Sequence, residues 1–267
     1  MSERKGFQLA GGAAVAYEQV LVPLWFERWA HALLDLVALA PGEKVLDVAC
    51  GTGVTTRLAK RAVGAQGKVV GLDINAPMLA IARDLAPDLD IAWIEADACD
   101  TGLETGSCDA VISQHGYHYL PDKPAALAEM RRALAPGGRI ALSIWEGHSP
   151  YTAALCEAVA RFISADAART QRSQRETPGP DDLAQALTRA GFRDVEIVRQ
   201  TLDIRVPSAR EFVPLHLGAM PIAGAFQALP EGERDRLVSA VEAAMAPYVR
   251  GNGLVYPDAV NVMTARR

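Results

Sequence analysis

Three carboxylates and two glycines between positions 47 and 97 have the types and spacing of a small-ligand site. Gly51 and Gly53 follow an apolar run, Val45-Leu-Asp-Val-Ala49, so that a turn without Cβ atoms lets the main chain approach a ligand closely. A second apolar run, Val69-Val-Gly-Leu-Asp73, ends on an acid twenty residues past Gly53. A carboxylate at that place accepts hydrogen bonds from two ribose hydroxyls, bonds worth on the order of 1.5–3 kcal/mol each. Asp97, in Glu95-Ala-Asp97-Ala98, closes a third run at a position suited to the amino group of an adenine. Beyond these, Gln114-His115-Gly116-Tyr117-His118-Tyr119 brings two imidazoles together, and His115 and His118 are the candidate general bases.

An adenosine-bearing ligand at such a turn is either a nicotinamide dinucleotide or S-adenosylmethionine, and two residues separate them. The pyrophosphate fingerprint requires a third small residue for close helix–strand packing, and Thr56 stands there. Asp47 lies four residues before Gly51, where an acid repels a pyrophosphate and attracts a methionine ammonium or a sulfonium. Asp47 could also only brace the turn, and Asp73 could only cap the helix that follows. Either histidine could cap or pack the segment beginning near Pro121 instead of moving a proton. Tyr17 and Trp25 read equally well as covers over the ligand and as core aromatics. Cys50 reads as a small packing residue of the turn and not as a nucleophile.

The elements that hold these residues alternate. Strands are expected at Val45–Ala49, Lys68–Leu72, Ile91–Ile94, Ala110–Ser113 and Arg139–Ile144, with helices at Val54–Val63, Pro77–Leu85 and Lys123–Leu134 between them. Each parallel crossover needs a helix to return the chain, so this rhythm implies a doubly wound, mostly parallel sheet. Before it, apolar residues from Tyr17 to Ala40 recur at helical steps, with a second helix expected to start at Pro23. After it, a helix is expected at Tyr151–Ile163, a polar loop at Ala168–Pro180, and a helix at Asp182–Ala190 capped by Asp181. A strand at Val195–Arg199, a helical stretch from Ser208 to Arg250 and an edge strand at Val260–Ala265 complete the chain.

In order and spacing these runs resemble the motifs of the class I S-adenosylmethionine-dependent methyltransferases. Val45 to Gly53 is similar to their first motif, Gly71-Leu-Asp-Ile-Asn75 to their second, and Glu95 to Ala98 to their adenine motif. Ser107 to Asp122 resembles the fourth-strand motif, and Leu134-Ala-Pro-Gly-Gly-Arg139 the approach to the fifth strand. The pattern is closest to the ubiquinone/menaquinone C-methyltransferase-like small-molecule enzymes. The resemblance implies a Rossmann-like α/β fold of seven strands, the last antiparallel, with a helical lid inserted before it. Its implied divisions are an N-terminal helical cap at 1–40, a cofactor-binding core at 41–205, a lid at 206–252 and a final core strand at 253–267. It implies Asp47, Ala49, Gly51 and Gly53 at the methionine end, Asp73 and Ile74 at the ribose and adenine, Asp97 and Ala98 at the adenine, and Gln114 beside the sulfonium. Tyr17, Cys50 and Met78 complete the expected cofactor pocket.

The remaining composition narrows the partners. A net charge of −5 over 267 residues speaks against a nucleic-acid binder. The four cysteines lack metal-ligand spacing, so no metal is expected, and no stretch approaches the ~20 apolar residues of a membrane span. The expectation is a cytoplasmic protein, with a homodimer as one option, transferring a methyl group to a small, partly apolar acceptor at oxygen or carbon. Two other functions fit the same residues: a protein of this fold that binds the cofactor for a different reaction, and an NAD(P)-linked oxidoreductase.

Overall fold

The computed structural model describes Leu9 and residues 11–267. The first eight residues of the expected N-terminal cap, and its tenth, lie outside the described residues.

One sheet organises the chain. The strands β1 (Lys44–Val48), β2 (Lys68–Asp73), β3 (Ile91–Glu95), β4 (Cys108–Gln114) and β5 (Leu134–Trp145) pair in parallel, in the order β3-β2-β1-β4-β5. The order reverses beside β1, where β1 and β4 part at their carboxyl ends and leave a crevice for a ligand. β6 (Arg193–Pro207), the two-residue β7 (Val249–Arg250) and β8 (Gly253–Arg266) finish the sheet, with β8 antiparallel to both β5 and β6. The expected edge strand is therefore interior. β6 forms the edge, because its antiparallel pairing runs the length of β8 from Arg266 to Gly253. From Ala259 to Gly253, β8 pairs beyond the end of β5, so β6 and β8 leave the sheet as a ribbon, joined at its tip by β7.

Helices cover both faces. α1 (Gly11–Ala16), a π-helical segment at Tyr17–Phe26 and α2 (Glu27–Val37) run on without a break, correcting the expected restart at Pro23. The wide turns, closed by Glu27 N–H on the Val22 carbonyl five residues back, take up a proline that lacks an N–H. Arg139, in β5, ties the end of α2 to the core by donating to the Val37 and Ala38 carbonyls and forking both carboxylate oxygens of Glu43 at 2.7 Å. α3 (Val54–Val63), α4 (Ala76–Asp84) and α5 (Lys123–Ala133) make the crossovers. Asn75, and not Asp73, caps α4 by accepting from Met78 N–H.

α6 (Pro150–Phe162) is followed by α7 (Ala165–Ser173), where a loop was expected. The Ser164 hydroxyl accepts from Ala167 N–H to start it, and Ala168 and Gln171 turn inward from it. α8 (Pro180–Arg189) starts at Pro180 with Gly179 as its boundary residue, so Asp181 lies inside its first turn and does not cap it. α9 (Ala209–Gly218), α10 (Ala223–Gln227) and α11 (Glu231–Met245) connect β6 to β7, with Pro214 inside α9. One apolar cluster joins these helices to α2, α3, α6 and one sheet face, and a second joins α5 and α8 to the other face. None of the described helices is long and apolar enough to cross a membrane.

Candidate functional site

A cavity opens at the carboxyl ends of β1, β2 and β4, beneath the N-terminal helices, α6, α7 and α9. Of the sequence-predicted residues it brings together Tyr17, Asp47, Ala49, Cys50, Gly51, Asp73, Ile74, Met78, Asp97, Ala98, Gln114 and His115. Gly53 and His118 are not on its wall.

The lower wall is built by the turn after β1. Ala49 and Gly51 both take left-handed backbone, at φ of 57° each, a conformation costly for alanine and natural for glycine. A Cβ on Gly51 would come within 3.1 Å of the Met78 methyl. Gly53, at φ 83°, serves packing: a Cβ there would meet the Trp93 ring at 2.4 Å. Asp73 is fixed by two main-chain donors, Gly51 N–H at 2.7 Å and Asn75 N–H at 2.8 Å, so its carboxylate and the glycine turn are one unit. Burial raises its pKa against those bonds.

Asp47 is 1% exposed, and its Oδ2 accepts from the Thr56 hydroxyl at 2.6 Å. The residue that breaks the dinucleotide fingerprint thus orients the acid that distinguishes the site. Oδ1 of Asp47 is buried with no hydrogen-bond partner among the described residues. Burial pushes the Asp47 carboxyl up to about 7, with the Thr56 bond opposing and Asp73 adding to the rise. Asp97 accepts from Cys99 N–H at 2.8 Å. Burial also raises the Cys50 thiol well above its ordinary range, which keeps it protonated and unreactive.

Gln114 ends β4 and bridges the walls. Its Nε2 donates to the Phe26 carbonyl at 2.7 Å, and its Oε1 accepts from the Thr55 hydroxyl. The neighbouring His115 is held in left-handed backbone at φ 53° and stacks on Trp145 with centroids 3.7 Å apart and planes 8° off parallel. Neither His115 ring nitrogen has a partner among the described residues. Burial, then His118 and Arg175, pull its pKa well below the ordinary value, so the ring is neutral. His118 lies against Tyr119 at 4.0 Å, with its pKa lowered to about 3 by burial, Lys123 and Arg175.

The upper wall is aromatic, and sequence reasoning missed its polar centre. Trp25 lines it, as do Phe26, Trp145 and His216. Tyr17 stacks on Phe26 at 4.9 Å. Among these rings lies Arg175, 5% exposed, forked onto Asp258 at 2.7 and 2.9 Å and 3.8 Å above the Trp145 ring. Trp25 Nε1 donates to the same carboxylate at 3.0 Å. The inward spacing Ala168, Gln171, Arg175 was the available signal, at helical steps of three and four.

The described residues contain no cluster of three or more His, Cys, Asp or Glu that could hold a metal. Residues 45–138 match a family described as "Methyltransferase domain". The chain is 34% identical over 182 residues to a 2-phytyl-1,4-naphtoquinone methyltransferase of Thermosynechococcus vestitus, covering 63% of this chain and 80% of that protein. It is 32% identical over 204 residues to nocamycin O-methyltransferase of Saccharothrix syringae, covering 71% and 73%. Among solved structures, it shares the fold of a Haemonchus contortus phosphoethanolamine N-methyltransferase in complex with S-adenosylhomocysteine, with a TM-score of 0.61 at 20% identity over 95% of this chain and 56% of that one. The switch-point cavity with its buried carboxylates, and these relatives, carry one conclusion: the chain belongs to the class I S-adenosylmethionine-dependent methyltransferases.

Proposed function

We propose that the cavity binds S-adenosylmethionine along its lower wall and presents a small, partly apolar acceptor from its upper wall. The observation that carries this reading is the contrast within one cavity of two buried carboxylates, Asp47 and Asp73, facing an aromatic roof. S-adenosylmethionine supplies a methyl group already activated by a sulfonium. Asp47 offers its unpartnered Oδ1 to the methionine end, beside Ala49, Cys50 and Gly51. Gly53 acts there indirectly, through the shape of the turn. Asp73 and Ile74 hold the ribose and adenine, and Asp97, Ala98 and Met78 enclose the base. Gln114 and Tyr17 border the sulfonium. Holding the acceptor atom in line supplies several kcal/mol through effective molarity.

His115, at the wall, is the candidate for taking a proton, and its depressed pKa suits acceptors that are acidic or need no proton removed. His118 positions the turn at 117–119. The helices at 206–252 and the N-terminal cap act as a lid that excludes water, and the core spans 41–205 with its last strand at 253–267. The aromatic roof supports an acceptor that is a metabolite, and the family relatives whose names specify quinone and nocamycin methylation support the same class.

Equilibrium binding tests the proposal. Micromolar or tighter affinity for S-adenosylmethionine and S-adenosylhomocysteine is expected, followed by transfer of labelled methyl to a small molecule in a cell extract. No binding of either compound would falsify it. Binding without label transfer would favour the same cofactor serving a different reaction.

A further inference from the structure

Around Arg175 and His216 the carboxylate of the upper wall is used up and several donors are left, while the His115 ring across Trp145 keeps one acceptor nitrogen. Asp258 is saturated: Oδ1 accepts from Arg175 Nη1 at 2.7 Å and Ala259 N–H at 2.9 Å, and Oδ2 from Arg175 Nη2 at 2.9 Å and Trp25 Nε1 at 3.0 Å. Arg175 is not saturated. Its Nη1 also reaches the Gly147 carbonyl at 3.4 Å, but Nε–H and the second Nη2–H make no bond within the described protein. Gln171, beside it, has Oε1 taken by Gln174 Nε2 at 2.8 Å and its own amide N–H groups left over.

His216 adds a donor of fixed identity. Its Nδ1 lies 2.9 Å from the Tyr151 hydroxyl, and Tyr151 is fully buried with no other hydrogen-bond partner. If Nδ1–H donated to that oxygen, the buried phenolic O–H would have no acceptor, the more costly arrangement. The network therefore assigns the O–H as donor, Nδ1 as acceptor, and the proton of the neutral ring to Nε2. His216 lines the cavity and has only Nε2 left to offer it. Burial, then the charge of Arg175, hold this imidazole neutral, with its pKa pulled down to about 3. His216 and Arg175 both lie 5.4 Å from the Trp25 ring, the imidazole at 80° to its plane.

We propose that Arg175 and His216, set by Asp258 and Tyr151, form the acceptor's anchoring subsite, and that it takes an oxygen that only accepts hydrogen bonds, a carbonyl or its enolate, on an apolar body. This rests on the reading of the cavity as a methyltransferase site. Asp258 neutralises Arg175, so a neutral carbonyl enters without bringing uncompensated charge, and the same donors stabilise the enolate left when an acidic acceptor gives its α-proton to His115. The apolar body follows from the rings of Tyr17, Trp25 and Phe26 that line the cavity with the subsite, the faces of Trp145 itself being taken by Arg175 and His115. Arg175 and His216 are specificity-determining residues, and Asp258 and Tyr151 are positioning residues.

The test uses the full chain loaded with S-adenosylhomocysteine and two probes of equal shape, 2-acetylnaphthalene and 2-isopropenylnaphthalene. The ketone is expected to bind at least about tenfold more tightly than the alkene, the lower end for a bond from a charged donor. Its isotope-labelled carbonyl stretch should move to lower frequency on binding. Arg175→Met and His216→Phe should reduce ketone affinity toward that of the alkene, return the stretch toward its unbonded position, and leave alkene and S-adenosylhomocysteine affinities unchanged. Since Arg175→Met strands Asp258 and threatens folding, the ketone–alkene ratio on the unaltered protein decides alone. Equal affinity for the two probes, or binding of neither, overturns the subsite while the methyltransferase reading stands. Failure of S-adenosylhomocysteine itself to bind overturns both.

Discussion

The lower and upper walls of the cavity are built by opposite means. Below, the polar groups are supplied by the main chain and by neighbours in sequence: Asp73 takes its bonds from Gly51 and Asn75 amides, and Asp47 from Thr56 nine residues on. Above, they are supplied by side chains far apart, with Arg175 and Asp258 separated by 83 residues and Tyr151 and His216 by 65. A site made of amides is as rigid as the strands that end there. A site made of distant side chains depends on every helix that delivers them. The first suits a ligand common to a whole family, and the second an acceptor particular to this chain.

The sharpest way to break this contrast is Asp258→Ala, which leaves a buried guanidinium without its carboxylate. A loss of about 3–5 kcal/mol of stability is expected in denaturant titration, the cost of an unpaired buried charge. An effect within 1 kcal/mol would mean that the upper wall relaxes freely and is no fixed structure.

Asp47→Asn should act in the opposite direction on stability. The folded carboxyl titrates near 7 against an ordinary 3.8, so its contribution is fully present below about 3.8 and is lost as pH rises through about 7. The free protein should therefore lose stability across that window, on the order of 2 kcal/mol or more, since one pKa unit is about 1.4 kcal/mol. The asparagine variant should show a flatter stability–pH curve and weaker S-adenosylmethionine binding, and an unchanged slope would locate the titration elsewhere.

Asp73→Ala is expected to weaken S-adenosylmethionine binding about tenfold or more, read by calorimetry, with ketone-probe affinity unaltered. An unchanged dissociation constant would refute the ribose assignment. Ser164→Ala should give the smallest effect, about 1 kcal/mol of stability from the lost cap of α7. It sharpens the comparison if probe binding falls and cofactor binding does not, because α7 leads to Gln171 and Arg175.

The same contrast explains what was legible in the sequence. Asp47 and Gly51 sit within five residues at the end of one strand, so local spacing places both on the cavity wall, whereas Gly53, two residues on, packs against Trp93. Thr56 was read correctly as a missing glycine, while its bond to Asp47 needed the structure. His118 illustrates the opposite case: adjacency to the fourth strand suggested the site, but the short 117–119 turn carries its ring away from the cavity wall. The ribbon went unread although Thr201-Leu-Asp-Ile-Arg-Val206 alternates polar and apolar, because it pairs with residues some fifty positions later instead of with a sheet neighbour close in sequence. Arg175 was hidden in the same way, as one of several arginines in a polar stretch whose inward face only α7 defines.

The ribbon also has a mechanical consequence. β8 leaves the sheet after Val260, so that residue is a fulcrum, with Asp258 two positions beyond it and Gly253, where the chain arrives from α11 and β7, seven positions beyond it. Residues along a strand advance by equal steps, so flexing the arm moves Asp258 only roughly two-sevenths as far as its tip. A tip excursion of several ångströms leaves the carboxylate within about an ångström or two of its place. The clamp's place near the pivot thus protects its aim: a displacement at the ribbon's tip reaches the Arg175–Asp258 pair reduced about threefold.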